Sequence, residues 1–424
     1  MKSRICGIVA ATLVLGLSAC ASDGAPGGGD TADSPSGEIT YAEWSTNQQP
    51  TMKKIIEAFN EEYPDVTVNL QVTPWEQYWT KLQNEASTGT MPDVLWMHPA
   101  YFLLYATNDK LESIESVVDD GRVDLANYPT ALVDFCSFDG SVYGVPKDQG
   151  TIALYYNKRL FDAAGVDYPT ADWTLEDEHA AAAEIREKLK DDGVYGISFV
   201  LEPQSTYYPT IYLEGGHIIS EDLKKSGYDS PEAIAGVQYW VDMMEEGISP
   251  SYQQLSDTDG GQFFASGKAA MYHGGVFDLK NFFPALDEQD IGIVELPKGQ
   301  REATIANGLC NSISSDTENR PAAEAFLAFL GGERAAQIQA EAGTALPAYK
   351  GTQQPWLDAH PDLDLQVFLD IAEKYPFPFA GSKNTQAWNE LENRILGEVW
   401  AGKKTAEEGC KELAEKMNAL LAQE

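Results

Sequence analysis

The chain has 424 residues, and its 66 aspartate and glutamate residues outnumber its 29 lysine and arginine residues, which gives a formal net charge of −37. A field of this sign repels nucleic acid phosphates and anionic lipid head groups, so a nucleic acid partner is not expected. The five histidines are scattered, and no two cysteines have a C-x-x-C spacing, so we expect neither a metal site nor a cofactor.

The first residues have the pattern of a secretory signal. Lys2 and Arg4 precede an apolar run over residues 8–16, which is shorter than the roughly 20 residues that span a bilayer. The run leads to Leu17-Ser18-Ala19-Cys20, which resembles the lipobox of bacterial lipoproteins. A plain signal peptide followed by a chance cysteine is the alternative.

These features predict how the protein is held outside the cell. We expect a signal peptide at 1–19, a lipidated Cys20 and a flexible tether at 20–37, because the tether residues are almost all small or acidic. The predicted location is the extracellular face of a bacterial cell membrane, with the lipid as the membrane contact.

After the tether, strand and helix patterns alternate. The elements of this first pass are a strand at 38–44, a helix with Met52, Ile55, Ile56 and Phe59 on one face, a strand at 66–72, a helix from Pro74 and a strand at 92–97. This order is typical of an α/β layer with a parallel sheet.

The same alternation returns later in the chain. The elements of the second pass are a helix that begins at Thr174, a strand at 195–200, a helix that begins at Ser230-Pro231 and a last helix with the capping box Thr405-x-x-Glu408. Trp240 lies in the third of these elements, and we expect it to be structural. Cys410 lies on the apolar face of the last helix and is expected to be a core residue.

Motifs for catalysis are absent from the sequence. It contains no G-x-S-x-G, H-E-x-x-H or G-x-G-x-x-G. The residues Asp257-Thr258-Asp259-Gly260 hint at a calcium loop, but the other ligands of such a loop are missing, so a helix-capping turn is the better interpretation. We therefore do not expect an enzyme. A secreted glycosidase stays an alternative, since its paired carboxylates are defined by their separation in space.

Local segments resemble the extracellular solute-binding proteins of family 1, the sugar-binding components of ATP-driven importers, which include the maltose-binding protein. The five stretches that carry the resemblance are MPDVLWM at 91–97, YGVP at 143–146, ALYYNKRLF at 153–161, FASGKAAM at 264–271 and ALPAY at 345–349. Their order and spacing cover nearly all of residues 38–424. Five such stretches in order are much more specific than any one of them.

The resemblance implies a two-lobed α/β fold of the periplasmic-binding-protein type II class, with a ligand cleft and a hinge between the lobes. It implies crossings between the lobes near 145–152, near 293–307 and near Pro347. The implied lobes are 38–147 with about 297–346, and 148–296 with about 347–424.

The same resemblance implies a function. A monomer would capture a carbohydrate, most simply a neutral oligosaccharide, by closing the cleft, and would deliver it to the transmembrane subunits of an ABC permease. The alternative ligand is of the glycerol-phosphate type, which needs basic groups in the cleft. Lys147 and Arg159 are the nearby candidates, although Lys147 also has a simple interpretation as the counter-ion of Asp148.

The candidate ligand-binding residues come from strand ends and from the crossings. Trp44 and His98 follow strands at the edge where open α/β sheets bind ligands, and Asp148 matches a position where relatives present a carboxylate to a sugar. The candidate set is Trp44, His98, Asp148, Tyr207, Phe277, Asn307 and Gly308. Phe277 stands where the family often has tryptophan. Trp96 is open between core and site, and Trp75 and Trp79 are expected to pack.

A disulfide is possible outside the cytoplasm. Cys136 and Cys310 are both expected on strands of the first lobe that flank the crossings, so we predict that they form the pair. Cys410 would then be the remaining thiol.

Overall fold

The computed structural model describes residues 34–424, apart from the side chain of Glu76. The predicted signal peptide, Cys20 and most of the predicted tether lie outside the described residues. The first strand already begins at Gly37, the last residue of the predicted tether. Within residues 34–424, no helix combines the length and the apolar character that a membrane span requires.

The strands are β1 (Gly37–Glu43), β2 (Val66–Val72), β3 (Val94–Met97), β4 (Ser137–Phe138), β5 (Ser141–Val142), β6 (Gly144–Gly150), β7 (Ile152–Asn157), β8 (Tyr195–Ser198), β9 (Ala269–Gly275), β10 (Ile291–Val294), β11 (Thr304–Ile313) and β12 (Pro376–Pro378). The α-helices are α1 (Gln49–Glu62), α2 (Trp75–Thr88), α3 (Pro99–Ala106), α4 (Glu115–Asp119), α5 (Thr130–Phe135), α6 (Lys158–Ala164), α7 (Leu175–Leu189), α8 (Tyr208–Leu213), α9 (Pro231–Glu245), α10 (Tyr252–Asp257), α11 (Gly260–Ala265), α12 (Leu279–Phe282), α13 (Arg320–Leu330), α14 (Glu333–Glu341), α15 (Gln354–Asp358), α16 (Gln366–Lys374), α17 (Thr385–Trp400) and α18 (Ala406–Leu421). A π-helical turn covers Pro203–Tyr207, and a 3₁₀ turn covers Val276–Asp278.

Two sheets organise the chain into two lobes. The first sheet has the order β12-β11-β3-β1-β2, and β6 also pairs with β11. Within it, β1 is parallel to β2 and to β3, as the sequence pattern predicts. The second sheet has the order β10-β7-β9-β8. We call the lobe around β1, β2 and β3 the first lobe and the lobe around the second sheet the second lobe.

Strands β6 and β11 run side by side between the lobes. The first residues of β11 pair with β12, and its last residues pair with β3. Strand β6 is followed, after Thr151, by β7 of the second sheet. A third segment lies beside them, because Pro347 forms an isolated bridge with Asp148.

The helices follow the predicted patterns closely. The four apolar residues predicted on one face of α1 are all buried. Ser230 caps α9, and Thr174 and Thr405 form complete capping boxes at α7 and α18. Asp259 accepts from the backbone N–H of Gly261 at the start of α11, which confirms the capping turn in place of a calcium loop. These caps satisfy backbone donors that have no partner within the helix.

The three cysteines of the described residues form one disulfide and leave one free thiol. Cys136 and Cys310 form a disulfide in the structure, with their Cα atoms 6.0 Å apart. Cys136 lies at the carboxyl end of α5 and not on a strand, so the sequence prediction was wrong about its element. The helical pattern of the preceding residues continues up to this cysteine. Cys410 is a free, buried thiol of α18, as predicted for a core residue.

Candidate functional site

Trp44 lies at the centre of a group of rings in the first lobe. It follows the carboxyl end of β1 and is half-buried. The centroid of its ring is 5.1 Å from Trp75, 5.2 Å from Trp96 and 6.5 Å from His98. All three contacts are edge to face, an arrangement that aromatic rings prefer. We call Trp44, Trp75 and His98 the aromatic face.

The tryptophans around Trp44 separate into core and surface. Trp96 is fully buried, and its Nε1 donates to Oη of Tyr41 at 2.6 Å, so it is a core residue. Trp79 is also buried and stacks on Tyr101 at 3.7 Å, which confirms its packing role. Trp75 is half-buried and lies 5.1 Å from His98, so it belongs to the aromatic face as well as to the packing of α2.

His98 connects the two lobes through a short polar chain. It follows β3, and its Nε2 lies 3.1 Å from Nδ2 of Asn307 on β11. The same amide of Asn307 donates to Oε1 of Gln204 in the second lobe at 3.0 Å. Burial lowers the pKa of His98 to about 3, so the ring is neutral in the physiological range. His98 and Asn307, two residues predicted separately from the sequence, are therefore in contact. Gln204 extends this contact to the second lobe.

Asp148 is buried beside Lys147. Its Oδ2 accepts from Nζ of Lys147 at 2.8 Å, and its Oδ1 accepts from the backbone N–H of Leu309 at 3.0 Å. The expected neutralisation of Asp148 by Lys147 is thus confirmed. Both carboxylate oxygens already have protein partners. Asp148 therefore holds the crossing strands together, in addition to any contact with a ligand.

The second lobe presents one exposed ring at the end of β9. Phe277 is 47% exposed, the highest value among the large hydrophobic residues in the described part of the chain. The neighbouring Asp278 accepts from the backbone N–H of Gly275 at 3.0 Å. Burial raises the pKa of Asp278 to about 8, and the nearby Asp259 and Glu202 add to the rise.

Two further carboxyl groups cap helical turns near Asp278. Glu202 accepts from the backbone N–H groups of Gln204 and Ser205, both at 2.6 Å, and burial raises its pKa. Asp259 caps α11. We call Glu202, Asp259 and Asp278 the acidic face. Neither Glu202 nor Asp278 is among the site residues predicted from the sequence, although their positions just before or within helical turns are typical of capping residues.

Glu43 is a further residue that the sequence analysis missed. It is the last residue of β1 and is completely buried. Its Oε2 accepts from the backbone N–H of Ser45, while its Oε1 has no partner among the described residues. Burial raises its pKa to about 7, against the opposing effect of Ser45 and Lys147. Its place in a strand pattern gave no sign of this environment.

Two other candidates, Tyr207 and Gly308, have surroundings that give them a role in packing. Tyr207 is buried in the second lobe, where its ring contacts Tyr208 at 5.4 Å and Trp400 at 6.2 Å. The structure therefore places Tyr207 in the core and not beside Trp44. A Cβ atom on Gly308 would lie 2.5 Å from the backbone oxygen of Asp148, so glycine is required for the close approach of β11 to β6.

The basic candidates for an anionic ligand are both engaged with carboxylates. Lys147 pairs with Asp148, and Arg159 pairs with Asp290 at 3.1 Å on the surface. The side chain of Arg159 is 60% exposed, as expected for a helix face that points outward. Among residues 34–424, no three histidine, cysteine or acidic side chains form a cluster that fits a metal ion.

Comparison with known proteins finds relatives that match most of the chain. The maltodextrin-binding protein of Bacillus subtilis is 24% identical over 420 residues, which cover 96% of this chain and 94% of that protein. The galactooligosaccharide-binding protein of the same organism is 23% identical and covers 81% of this chain and 80% of its own length.

Solved structures share the fold. An ABC substrate-binding protein of Listeria monocytogenes, in complex with cycloalternan, has a TM-score of 0.85 and 27% identity, and the match covers 91% of this chain and 99% of that chain. The GacH receptor of Streptomyces glaucescens, solved unliganded and with acarbose, has a TM-score of 0.81 and 22% identity, with coverage of 91% and 99%. The predicted two-lobed α/β class is confirmed.

A family-level match covers the parts of the chain that build the aromatic face, the acidic face and the crossing strands β6 and β11. Residues 43–337 match the bacterial extracellular solute-binding protein family. This stretch includes all the candidate ligand-binding residues and four of the five segments on which the resemblance was based, from 91–97 to 264–271. The chain belongs to the family of bacterial extracellular solute-binding proteins.

Proposed function

We propose that this protein is an extracellular substrate-binding lipoprotein that captures a neutral oligosaccharide and delivers it to the transmembrane subunits of an ABC importer. The observation that carries the proposal is the polar chain from His98 through Asn307 to Gln204, which joins the two lobes beside the aromatic face. A ligand at this place contacts both lobes and favours the closed form.

The chemistry of the two faces suits a sugar. A sugar ring has apolar C–H faces that pack against aromatic rings, and Trp44, Trp75 and Phe277 offer such surfaces. Its hydroxyl groups need donors and acceptors at fixed positions, which Asn307 and the carboxyl groups of the acidic face supply. A mostly apolar site with a few oriented polar groups is typical of small-molecule binding.

The relatives support the ligand class. The names of the two Bacillus subtilis relatives specify maltodextrin and galactooligosaccharide, and the Listeria monocytogenes structure holds cycloalternan. All three are oligosaccharides. A phosphate-bearing ligand is less well supported, because Lys147 and Arg159 are already paired with carboxylates.

The proposed lobe boundaries follow the crossings. We assign 38–147 with about 297–346 to one lobe and 148–296 with about 347–424 to the other, with the hinge in β6, β11 and the segment at Pro347. The end of β11 pairs with β3 of the first lobe, while Thr304 at its start bonds the backbone of Ile152 in β7 of the second lobe, and these contacts support this assignment. Cleft closure by rotation about these segments is the proposed motion.

A thermal-shift screen tests the proposed ligand class. The panel contains maltotriose, maltoheptaose, galactotriose, cycloalternan and glycerol 3-phosphate. A ligand at 100 times its dissociation constant stabilises the folded protein by about 2.7 kcal/mol. We expect stabilisation by at least one neutral oligosaccharide and none by glycerol 3-phosphate. Chromatography of the sugars after incubation should show no shortened products, and such products would favour a glycosidase.

The lipid anchor is tested separately. We expect Cys20→Ala to release the protein from the membrane fraction into the medium, because the thioether-linked lipid would be lost. Cys410→Ala is the matched control, since that thiol is buried in α18. Unchanged membrane attachment of Cys20→Ala would reject the lipoprotein assignment.

A further inference from the structure

The register of the two crossing strands changes at one position. Leu309 pairs with Asp148, but Cys310 pairs with Pro146, so Lys147 is the extra residue of a β-bulge. A bulge leaves its extra residue outside the ladder and changes the direction of the side chain, and bulges are common beside functional sites.

The bulge turns the Lys147 side chain into the first lobe. The residue is 7% exposed, and its Nζ donates to Oε1 of Gln48 and to Oδ2 of Asp148, both at 2.8 Å. The same ammonium lies 4.3 Å from the centre of the Trp96 ring, within the range of a cation–π contact. A buried ammonium is costly unless its donors are satisfied, and these three contacts satisfy them.

Gln48 belongs to the segment that faces the other lobe. Residues 44–48 connect β1 to α1 and begin with Trp44 of the aromatic face. Asn47 of this segment reaches Asn281 of the second lobe, with Nδ2 and Oδ1 3.4 Å apart. Lys147 therefore links the crossing strand to the segment that carries the central ring of the proposed cleft.

A second carboxyl group lies within the field of the same ammonium. Glu43 precedes the segment, has one oxygen without a partner among the described residues, and is attracted by Lys147. The other titratable groups that face this network are Asp148, Tyr41 and Tyr78. In the described part of the first lobe, Lys147 is the cation whose charge offsets the unfavourable burial of the carboxyl groups of Glu43 and Asp148.

We propose that Lys147 is a positioning residue for the cleft, whose ammonium fixes the segment 44–48 and the ring of Trp44 to the first crossing strand before a ligand arrives. This inference rests on the proposed function. A fixed binding surface loses less conformational entropy when the ligand binds. In the proposed closure the crossing strand is part of the hinge, so the same contact links the position of Trp44 to the hinge.

The first test uses the ligand-free protein. We expect Lys147→Met to speed amide hydrogen exchange in residues 45–48 about tenfold or more, while exchange in β9 of the second lobe stays unchanged. Lys404→Met is the matched control, because the Lys404 ammonium also has two side-chain partners, the carboxylates of Glu398 and Glu412, but lies on the surface of the C-terminal helices. The double variant Lys147→Met/Asp148→Asn removes both charges of the buried pair. It replaces the single variant in the test if Lys147→Met does not fold.

A pH profile separates positioning from general loss of structure. The Lys147 charge favours the ionised form of Glu43, so its removal should move the midpoint of the tryptophan fluorescence titration upward by about one pH unit or more. Adding Glu43→Gln should abolish that transition. Lys404→Met should leave the midpoint in place.

The final arm measures affinity for maltotriose and galactotriose by calorimetry. We expect Lys147→Met and the double variant to bind the preferred sugar at least tenfold more weakly than wild type and Lys404→Met. Wild-type affinity together with unchanged exchange at 45–48 would overturn the role of Lys147. If wild type binds neither these sugars nor the rest of the panel, the proposed function fails, and the exchange and pH results still decide whether Lys147 positions the segment.

Discussion

The two faces of the proposed cleft are built by different means. The aromatic face depends on rings that follow β1 and β3 and on one ring of α2, and these contact one another edge to face around Trp44. The acidic face depends on carboxyl groups that accept from backbone N–H groups at the start of helical turns. One face thus offers rigid apolar surface, and the other offers oriented polar groups.

This difference predicts different responses to pH. No titration of the aromatic face is expected in the physiological range, since burial lowers the pKa of His98 to about 3. On the acidic face, burial raises the pKa of Asp278 to about 8. The protonated form that this shift favours can donate a hydrogen bond, whereas an ionised carboxylate only accepts. Asp278 in the second lobe and Glu43 beside Trp44 in the first lobe, whose pKa burial raises to about 7, are therefore the groups expected to respond to pH.

Removal of the central ring is expected to have the largest effect on binding. Trp44→Ala deletes the surface against which Trp75 and His98 are arranged. We expect it to weaken binding of the preferred oligosaccharide about a hundredfold, or about 2.8 kcal/mol. Isothermal titration calorimetry measures the effect. Full affinity in a folded Trp44→Ala protein would show that the aromatic face is not the binding surface.

A matched tryptophan in the core should behave in the opposite way. Trp240 is fully buried, and its Nε1 lies 3.1 Å from both the backbone oxygen of Thr206 and Oγ1 of Thr210. Trp240→Phe loses these contacts and leaves a void, so the free energy of unfolding should fall by roughly 1–3 kcal/mol. Urea denaturation checks the loss. Affinity should stay within about twofold of wild type, and a large loss of affinity would contradict the core assignment.

A buried acid of the second lobe gives a prediction about stability and pH. Oε1 of Glu392 accepts from Oη of Tyr208 at 3.0 Å and from Oη of Tyr228, and burial raises its pKa to about 8. A raised folded-state pKa means that its contribution is fully present below the unfolded pKa and is lost as pH rises through about 8.

The Glu392→Gln variant tests this directly. The amide of Gln stays neutral at every pH. The fall in the free energy of unfolding between about pH 5 and pH 8 should therefore be smaller than in wild type by at least about 1.4 kcal/mol, the equivalent of one pKa unit. Denaturation at several pH values measures this slope. Glu390→Gln on the same helix is the control, and an unchanged slope in Glu392→Gln would contradict the prediction.

The smallest expected effect concerns the acidic face itself. The pKa of Asp278 is also raised, to about 8, so its contribution to stability has the same sign and is lost as pH rises through that value. The side chain is only half-buried, so solvent screens the effect. We expect Asp278→Asn to flatten the same pH profile less than Glu392→Gln does. An equal or larger change would mean that the acidic face is closed to solvent.

The capped helices were predictable because their signals are local. Ser230, Thr174 and Thr405 each act on backbone groups two or three residues away, and the structure confirms all three. The same logic identified Asp259 as a cap. The aromatic face was less predictable, since Trp75 reads as a packing residue of α2 until its contact with Trp44 is known.

The contacts made at the crossings could not be predicted from the sequence, because they join residues far apart in the chain. The bulge at Lys147 depends on the register of β11, which lies more than 150 residues away in the chain. The burial of Glu43 depends on residues from other strands, and the role of Gln204 depends on Asn307 reaching it. A strand pattern specifies which face a side chain occupies but not which distant partners it meets.

The central claim is that one neutral oligosaccharide binds between the aromatic face and the acidic face. Calorimetric titration of wild type and Trp44→Ala with the best oligosaccharide from the thermal-shift panel tests it most directly. We expect saturable one-to-one binding to wild type, with affinity about a hundredfold weaker in Trp44→Ala. Equal affinity of the two proteins, or binding of glycerol 3-phosphate in place of every neutral sugar, would contradict it.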